Sequence, residues 1–88
     1  MTSYNKNRLL QRIIIDPKIM VGKPVIKGTR IPVELIMRLI AQGIAEKEIL
    51  DDYPHLTKED IQAVLVYASE LLANEEVYPL IPEETVGV

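Results

Sequence analysis

A chain of 88 residues has room for one domain, and its composition excludes several classes of protein. Hydrophobic residues make up 48% of the chain, enough for a packed core, while the lack of Cys and the single His exclude disulfides, thiol chemistry and most metal and catalytic sites. The net charge of −3 argues against a general nucleic-acid coat, and no apolar run approaches the roughly 18 residues that span a bilayer. We therefore expect a soluble, cytoplasmic protein that is no enzyme, uses no metal or cofactor and does not enter a membrane.

The two halves of the chain carry opposite charge. Residues 1–40 hold eight basic and two acidic residues, a net charge of +6, whereas residues 41–88 hold two basic and eleven acidic residues, a net charge of −9. Such asymmetry is typical of two surfaces for two kinds of partner, and it is equally explained by attraction between the halves, within a monomer or across a dimer.

The first third of the chain predicts an arm followed by short strands. Residues 1–11 are polar and basic, which is typical of a loosely held arm. The β-branched run Arg12–Ile15 predicts a strand. The pairs Val25–Ile26 and Arg30–Ile31 flank Lys27 and Gly28 and predict a tight hairpin in which Gly28 has a positive φ. Because strands this short bury little surface by themselves, residues 12–31 need a helix or a second subunit to pack against.

Three helices are predicted over residues 32–73. The first has Pro32 at its first position and ends before Gly43, the second covers about Ala45–Asp52, and the third covers about Lys58–Ala73. A threonine followed three residues later by an aspartate predicts a capping box at the start of the third helix. These elements predict a mainly α fold of one domain, in which a small N-terminal β-hairpin or sheet precedes a three-helix bundle.

The apolar residues of the third helix extend around most of its circumference, so they cannot all be buried on one side. Ten of the seventeen residues of Thr57–Ala73 are apolar, and Val66 and Tyr67 lie off the face that contains Ile61 and Val64. Because a domain of this size has enough chain to cover one side of the helix, we predict that a second copy or another protein covers the other. The sequence therefore predicts a homodimer or higher oligomer, with Val66 in the interface.

The Pro-containing turn between the second and third helices is typical of a helix-turn-helix, a pattern that many three-helix bundles share. In that arrangement the third helix is the recognition helix, where Gln62 would read adenine and Lys58 would hold a phosphate. Its outer face has no other basic residue, so DNA binding would depend on phosphate contacts from the basic half of the chain, in particular Lys23, Lys27 and Arg30.

Residues 22–33, with the sequence GKPVIKGTRIPV, carry the most specific pattern in the chain. Together with IIDP at residues 14–17 and YPHLT at residues 53–57, they resemble the bacterial and archaeal family called domain of unknown function 433. The resemblance covers about residues 12–73. It implies a homeodomain-like helix-turn-helix fold and a role as the antitoxin beside a PIN-like nuclease toxin. The chain departs from the family at Ala45, where Ser or Thr often caps the second helix.

Two interpretations of Gly28, Thr29 and Arg30 stay open. In the first, these residues serve the fold: the glycine makes the turn, the threonine favours the strand, and the arginine forms an ion pair with Asp16 or Asp51. In the second, Arg30 contacts a phosphate directly.

Two functions are consistent with these features. The first is a small DNA-binding antitoxin that binds its own operator as a dimer and neutralises a PIN-like toxin. The second is a protein–protein interaction module that acts as an oligomer and does not bind DNA. The neighbouring gene would discriminate between them, because a nuclease-like reading frame beside this one favours the antitoxin.

The tail, residues 74–88, combines four glutamates with a cluster of apolar residues. The candidate partner-binding residues of the tail are Val77, Tyr78, Leu80 and Ile81. Apolar side chains bracketed by acids suit insertion into a basic or metal-containing groove of a partner such as the toxin. The other interpretation is that Tyr78 and Leu80 pack on the bundle of this chain or of a dimer mate.

Overall fold

The structure, a computed structural model, describes residues 5–74. Its elements are, in chain order, α1 (Lys6–Leu10), β1 (Ile13–Ile14), a short 3-10 turn (Met20–Gly22), β2 (Val25–Ile26), α2 (Val33–Ala41), α3 (Glu46–Asp52) and α4 (Lys58–Ala73). The prediction of a mainly α fold with a small N-terminal sheet is confirmed, and the three predicted helices correspond to α2, α3 and α4. None of the helices in this part of the chain is both long and apolar enough to cross a bilayer.

The sheet has two antiparallel strands, β1 and β2, with Ile13 opposite Ile26. The predicted strand over Arg12–Ile15 is present but shorter. The predicted hairpin turn is also present, while its second strand consists of a single bridge between Val25 and Pro32. β2 therefore lies between β1 and the start of α2, and both of its side chains are fully buried.

Both ends of α2 follow from backbone constraints. Pro32 takes an extended N-cap conformation, with φ −71° and ψ 145°, instead of the predicted first helical position. Gly43 adopts φ +87°, and its N–H and that of Ile44 donate to the carbonyls of Ile40 and Leu39 at 2.9 and 3.1 Å. This pair of hydrogen bonds is a Schellman motif, which ends a helix through a left-handed residue and confirms the predicted role of the glycine.

The N-termini of α3 and α4 are capped differently. At α3, Ala45 offers no side-chain acceptor, as the sequence indicates. At α4, the Thr57 hydroxyl accepts from the Asp60 N–H at 3.2 Å and the Asp60 carboxylate accepts from the Thr57 N–H at 2.9 Å, which confirms the predicted capping box. The same carboxylate accepts a hydrogen bond from the Arg12 guanidinium at 3.1 Å, so the cap also ties the start of the sheet to α4.

The main core is a cluster of buried aliphatic side chains from the sheet and the three long helices. The most completely buried members are Ile26 of β2, Ile36 of α2, Ile49 of α3 and Val64 of α4. Burying one such side chain stabilises a fold by roughly 1.5–3 kcal/mol. Because each comes from a different element, this cluster fixes the elements relative to one another.

The prediction of a loosely held arm over residues 1–11 is wrong for the part that the structure describes. A helix, α1, occupies five of these residues, and the Asn5 side chain caps it by accepting a hydrogen bond from the Arg8 N–H at 3.0 Å. A helix of little more than one turn has too few apolar residues to show a period, which is why the sequence suggests an arm.

The helix α1 covers the side of α4 that the sequence assigns to a partner. Leu9 packs on Ala63 and Val66, which are 0% and 6% exposed. The ammonium of Lys6 lies 3.1 Å from the Glu70 carboxylate, so an ion pair closes the same contact. The prediction that Val66 lies in an oligomer interface is therefore wrong, because the chain itself covers this side chain. The opposite charges of the two halves meet here within one chain.

Candidate functional site

The turn in the GKPVIKGTRIPV motif is rigidly built. Gly28, with φ +80°, is the third residue of a four-residue turn in which the Thr29 N–H donates to the Ile26 carbonyl at 3.0 Å, and this geometry is that of a type II turn. The Thr29 hydroxyl donates to the same carbonyl at 2.7 Å and accepts from the Ile31 N–H at 3.0 Å. Gly28 and Thr29 therefore serve the fold, as the first of the two sequence interpretations has it.

A groove of about 730 Å³ runs beside this turn, and we call it the basic groove. Its polar side chains come from Lys27, Arg30, Thr29 and, from the turn after α3, His55. The half-buried Ile19 and Ile31 supply its apolar lining, and the lining residues are completed by Gly28. The structure thus brings together two of the five predicted DNA-binding residues and adds the single histidine.

Arg30 does not form the predicted ion pair. Within residues 5–74, neither Arg30 nor Lys27 lies within 4.0 Å of a carboxylate. Asp16 accepts a hydrogen bond from the Lys18 N–H at 2.9 Å, and Asp51 lies 3.9 Å from the Lys47 ammonium. Both candidate partners are therefore engaged elsewhere, and the arginine side chain is exposed at the wall of the basic groove.

The other three predicted DNA-binding residues lie elsewhere. Lys23 forms an ion pair with Glu34 at 3.5 Å, and Arg38 binds the same carboxylate at 3.0 Å. Lys58 and Gln62 line a smaller groove at the start of α4, together with Glu46, Ile61 and Leu65. The five residues therefore do not form one continuous basic surface: two line the basic groove, two lie at the start of α4, and one is neutralised by a glutamate.

The helix-turn-helix candidate, α3 with α4, presents an acidic surface. The exposed acidic residues of α3 are Glu46, Glu48, Asp51 and Asp52, against one lysine, and Glu59 is exposed in the first turn of α4. Since phosphate contacts supply most of the affinity for DNA, this surface opposes the approach of a duplex along the recognition helix.

The C-terminal part of α4 carries an apolar surface that includes Tyr67, from the predicted partner-covered side, and Leu71, which the sequence prediction did not include. One groove beside it, of about 250 Å³, is lined mainly by Leu10, Ile13, Ile15, Tyr67 and Leu71. A second groove, of about 360 Å³, is lined mainly by Pro24, Val33, Met37, Tyr67, Ala68 and Leu71. We call the two grooves and the shared ridge of Tyr67 and Leu71 the apolar end surface.

The sequence holds a signal for this surface. Leu71 follows the fully buried Val64 by two helical turns and Tyr67 by one, so it lies on the core-facing side of α4, yet 46% of it is exposed. The helix α4 extends beyond the elements that cover its earlier turns. The exposure of Leu71 therefore depends on how long those elements are relative to α4. The remaining predicted partner-binding residues, Val77, Tyr78, Leu80 and Ile81, lie outside the described residues.

Comparison with known proteins gives the class of this chain. Residues 13–68 match the family described as "Protein of unknown function (DUF433)". The match includes the motif, the sheet, α2, α3 and the first two thirds of α4, and it confirms the family resemblance. This chain belongs to the DUF433 family, whose function is unknown.

Three related proteins extend this result. A solved structure of a DUF433 member protein from Anabaena variabilis is 38% identical, covers 73% of this chain and 63% of its own, and superposes with a TM-score of 0.66. An uncharacterized protein of Archaeoglobus fulgidus is 60% identical over 30 residues, which are 34% of this chain and 83% of that protein. An uncharacterized protein of Sinorhizobium fredii is 33% identical over 75 residues, which are 83% of this chain and 34% of that protein. The similarity to the Sinorhizobium protein thus spans about a third of its length.

Proposed function

We propose that this chain is a protein-binding module that holds its partner on the apolar end surface. The observation that carries the proposal is the exposure of Leu71, which lines both apolar grooves although it lies on the core-facing side of α4. A leucine in such a position is ordinarily covered, and an exposed apolar patch with a polar rim is typical of a protein interface.

The rim of the surface supports this proposal. The first groove is bordered by Glu70, which pairs with Lys6, and the second is bordered by Glu34, which pairs with Arg38. All four side chains are at least one third exposed. Charged groups at a rim favour one orientation of a partner over others while an apolar centre supplies most of the affinity.

The partner that we propose is a nuclease toxin of the PIN-like type, for which this chain is the antitoxin. The family resemblance implies this partner, and the apolar end surface suits it because an apolar groove with a charged rim can take the apolar face of an amphipathic segment of a partner. The apolar residues and glutamates of residues 74–88 stay a second predicted contact with the toxin.

Co-purification with the product of a neighbouring nuclease-like gene tests this proposal. We expect Leu71→Ala to reduce the amount of bound toxin at least tenfold and to release its nuclease activity, because Leu71 contributes to both grooves. Leu72→Ala is the matched control: it removes an adjacent leucine that is 66% exposed and lines neither groove. Equal losses in the two variants, or no binding by the unchanged chain, would contradict the proposal.

An apolar surface can also bind a second copy of the same chain. The predicted homodimer is therefore a second proposal for the apolar end surface. Sedimentation of the full chain between 1 and 100 µM, on the order of typical dimer affinities, separates the cases. A dimer that Leu71→Ala dissociates and Leu72→Ala preserves would place a second copy on the apolar end surface instead of the toxin.

Operator binding is the second candidate function, and one observation favours it. Lys58 and Gln62 are exposed in the first two turns of α4, where a recognition helix contacts bases and phosphates. Fluorescence anisotropy with the promoter DNA of the gene tests it at several salt concentrations. If this candidate holds, Lys58→Gln weakens binding to all sequences and lowers the salt slope by about 1, while Gln62→Ala relaxes base preference. Lys47→Gln on α3 is the control.

A further inference from the structure

We propose that the basic groove binds a small ligand that carries a phosphate, with a nucleoside diphosphate as its best-fitting class. The groove lies between the type II turn of residues 26–29 and the turn that contains His55. Its position is separate from the apolar end surface, and the proposal does not depend on the protein-binding function.

The distribution of ion pairs indicates that this groove binds an anion. Five of the ten basic residues form ion pairs within residues 5–74, namely Lys6, Arg12, Lys23, Arg38 and Lys47. Lys27 and Arg30 belong to the other five, and they line one groove together with His55. Among residues 5–74, none of those that line this groove is acidic. Two positive charges that have no carboxylate partner within residues 5–74, with an imidazole at the same opening, attract an anionic group and offer it charge-assisted hydrogen bonds.

The turn fixes the backbone that carries these two cations before a ligand arrives. The Lys27 N–H donates to the Arg12 carbonyl at 2.7 Å, and three hydrogen bonds through Thr29 fix the backbone on the other side of Gly28. A fixed backbone lowers the entropic cost of binding. A Cβ built on Gly28 would meet no atom within 4 Å, so the space above the turn is open to a phosphate.

The size and lining of the groove favour a ligand larger than phosphate itself. Its volume of about 730 Å³ lies in the range of roughly 300–1,000 Å³ that is typical of small-molecule sites. Ile19 and Ile31 give one part of the groove an apolar wall, against which a base can pack while the phosphates reach Lys27 and Arg30. A nucleoside diphosphate has both parts.

A nucleic-acid backbone could supply the same phosphate chemistry, and charge disfavours it here. The turn with His55 follows α3, whose exposed surface holds four acidic residues and one lysine. A duplex extends far beyond one groove and would meet this acidic surface, whereas the phosphates of a single nucleotide contact only the basic residues of the groove.

Titration of the ¹⁵N-labelled chain with ADP tests the proposal by NMR. We expect saturable shifts centred on residues 26–31 and His55, with a weaker response to inorganic phosphate and none to adenosine. Lys27→Gln and Arg30→Gln should each weaken ADP binding about tenfold, since each removes one charge-assisted contact. Lys58→Gln is the matched control, because it removes an exposed lysine that lies outside the groove, and it should change the affinity less than twofold.

Three outcomes would overturn the proposal. The first is the absence of shifts at millimolar ADP, and the second is an equal loss of affinity in Lys27→Gln and Lys58→Gln. The third is binding of a 16-base-pair duplex to the groove at concentrations where ADP does not bind, which would assign the groove to nucleic acid. Amide spectra of each variant without ligand establish that it remains folded. Leu71→Ala should bind ADP like the unchanged chain, so a failure of the protein-binding proposal leaves this test intact.

Discussion

The two ends of α4 are built from similar residues and have opposite surroundings. Residues 60–66 include five buried side chains, and α1, α3 and the sheet pack around them. Residues 71–74 are all exposed, although two of them are leucines. Composition along the helix therefore does not decide burial, because burial depends on which neighbouring element is long enough to reach each turn.

The covered stretch is secured twice, by packing and by a polar link. Leu9 covers Val66 on one side, and the Asp60 carboxylate joins the helix cap to Arg12 on the other. At the uncovered end, Leu71 has apolar neighbours on two flanks and nothing over it within residues 5–74. Residues 60–66 of α4 thus stabilise the fold, whereas its C-terminal end leaves an apolar surface that a partner can bind.

The largest expected loss of stability comes from disrupting the contact between α1 and residues 60–66 of α4. Val66→Glu would place a carboxylate where α1 packs on α4, and burial of an unpaired charge should lower the free energy of unfolding by on the order of 4 kcal/mol or more. Because a domain this small is only marginally stable, we expect the variant to be largely unfolded by circular dichroism at 25 °C. Leu72→Glu at the exposed end is the control and should melt close to the unchanged chain. A folded but monomeric Val66→Glu variant would restore the interface role that the sequence suggested.

A smaller effect is expected from the polar link. Asp60→Ala removes the acceptor for the Thr57 N–H and the partner of Arg12, and we expect a loss of about 2–3 kcal/mol in urea unfolding. Asp60→Asn keeps an acceptor oxygen for the cap but weakens the ion pair, so it should lose about half as much. Glu59→Ala removes a neighbouring exposed carboxylate and is expected to change stability by less than about 0.5 kcal/mol. A loss in Glu59→Ala as large as that in Asp60→Ala would contradict a specific role for the link.

The sequence predicts those parts of the structure that depend on neighbouring residues. The capping box at Thr57, the glycine C-terminus of α2 at Gly43, the turn at Gly28 and the bounds of α4 all follow from contacts within a few positions. These signals are local because a cap or turn hydrogen bond closes over two to five residues.

The features that the sequence does not predict depend on distant contacts. Leu9 covers Val66 across 57 positions of the chain, and a five-residue helix has no period that would reveal it. The candidate site is predicted only in part for the same reason. Lys27 and Arg30 are near neighbours in the sequence, which predicts them as one basic site, whereas the addition of His55 and the neutralisation of Lys23 by Glu34 depend on the folded arrangement.

The smallest expected effect concerns the uncovered end and tests whether it is free in solution. Leu71 is about half exposed, so Leu71→Ala should cost at most about 1 kcal/mol, well below the 2–5 kcal/mol of a fully buried leucine. Leu72→Ala, at 66% exposure, should cost less still. Urea unfolding of the full chain at low concentration measures both. A loss of 3 kcal/mol or more in Leu71→Ala alone would mean that the chain already covers this leucine. In that case the apolar end surface would belong to the fold, and a toxin would have to bind elsewhere.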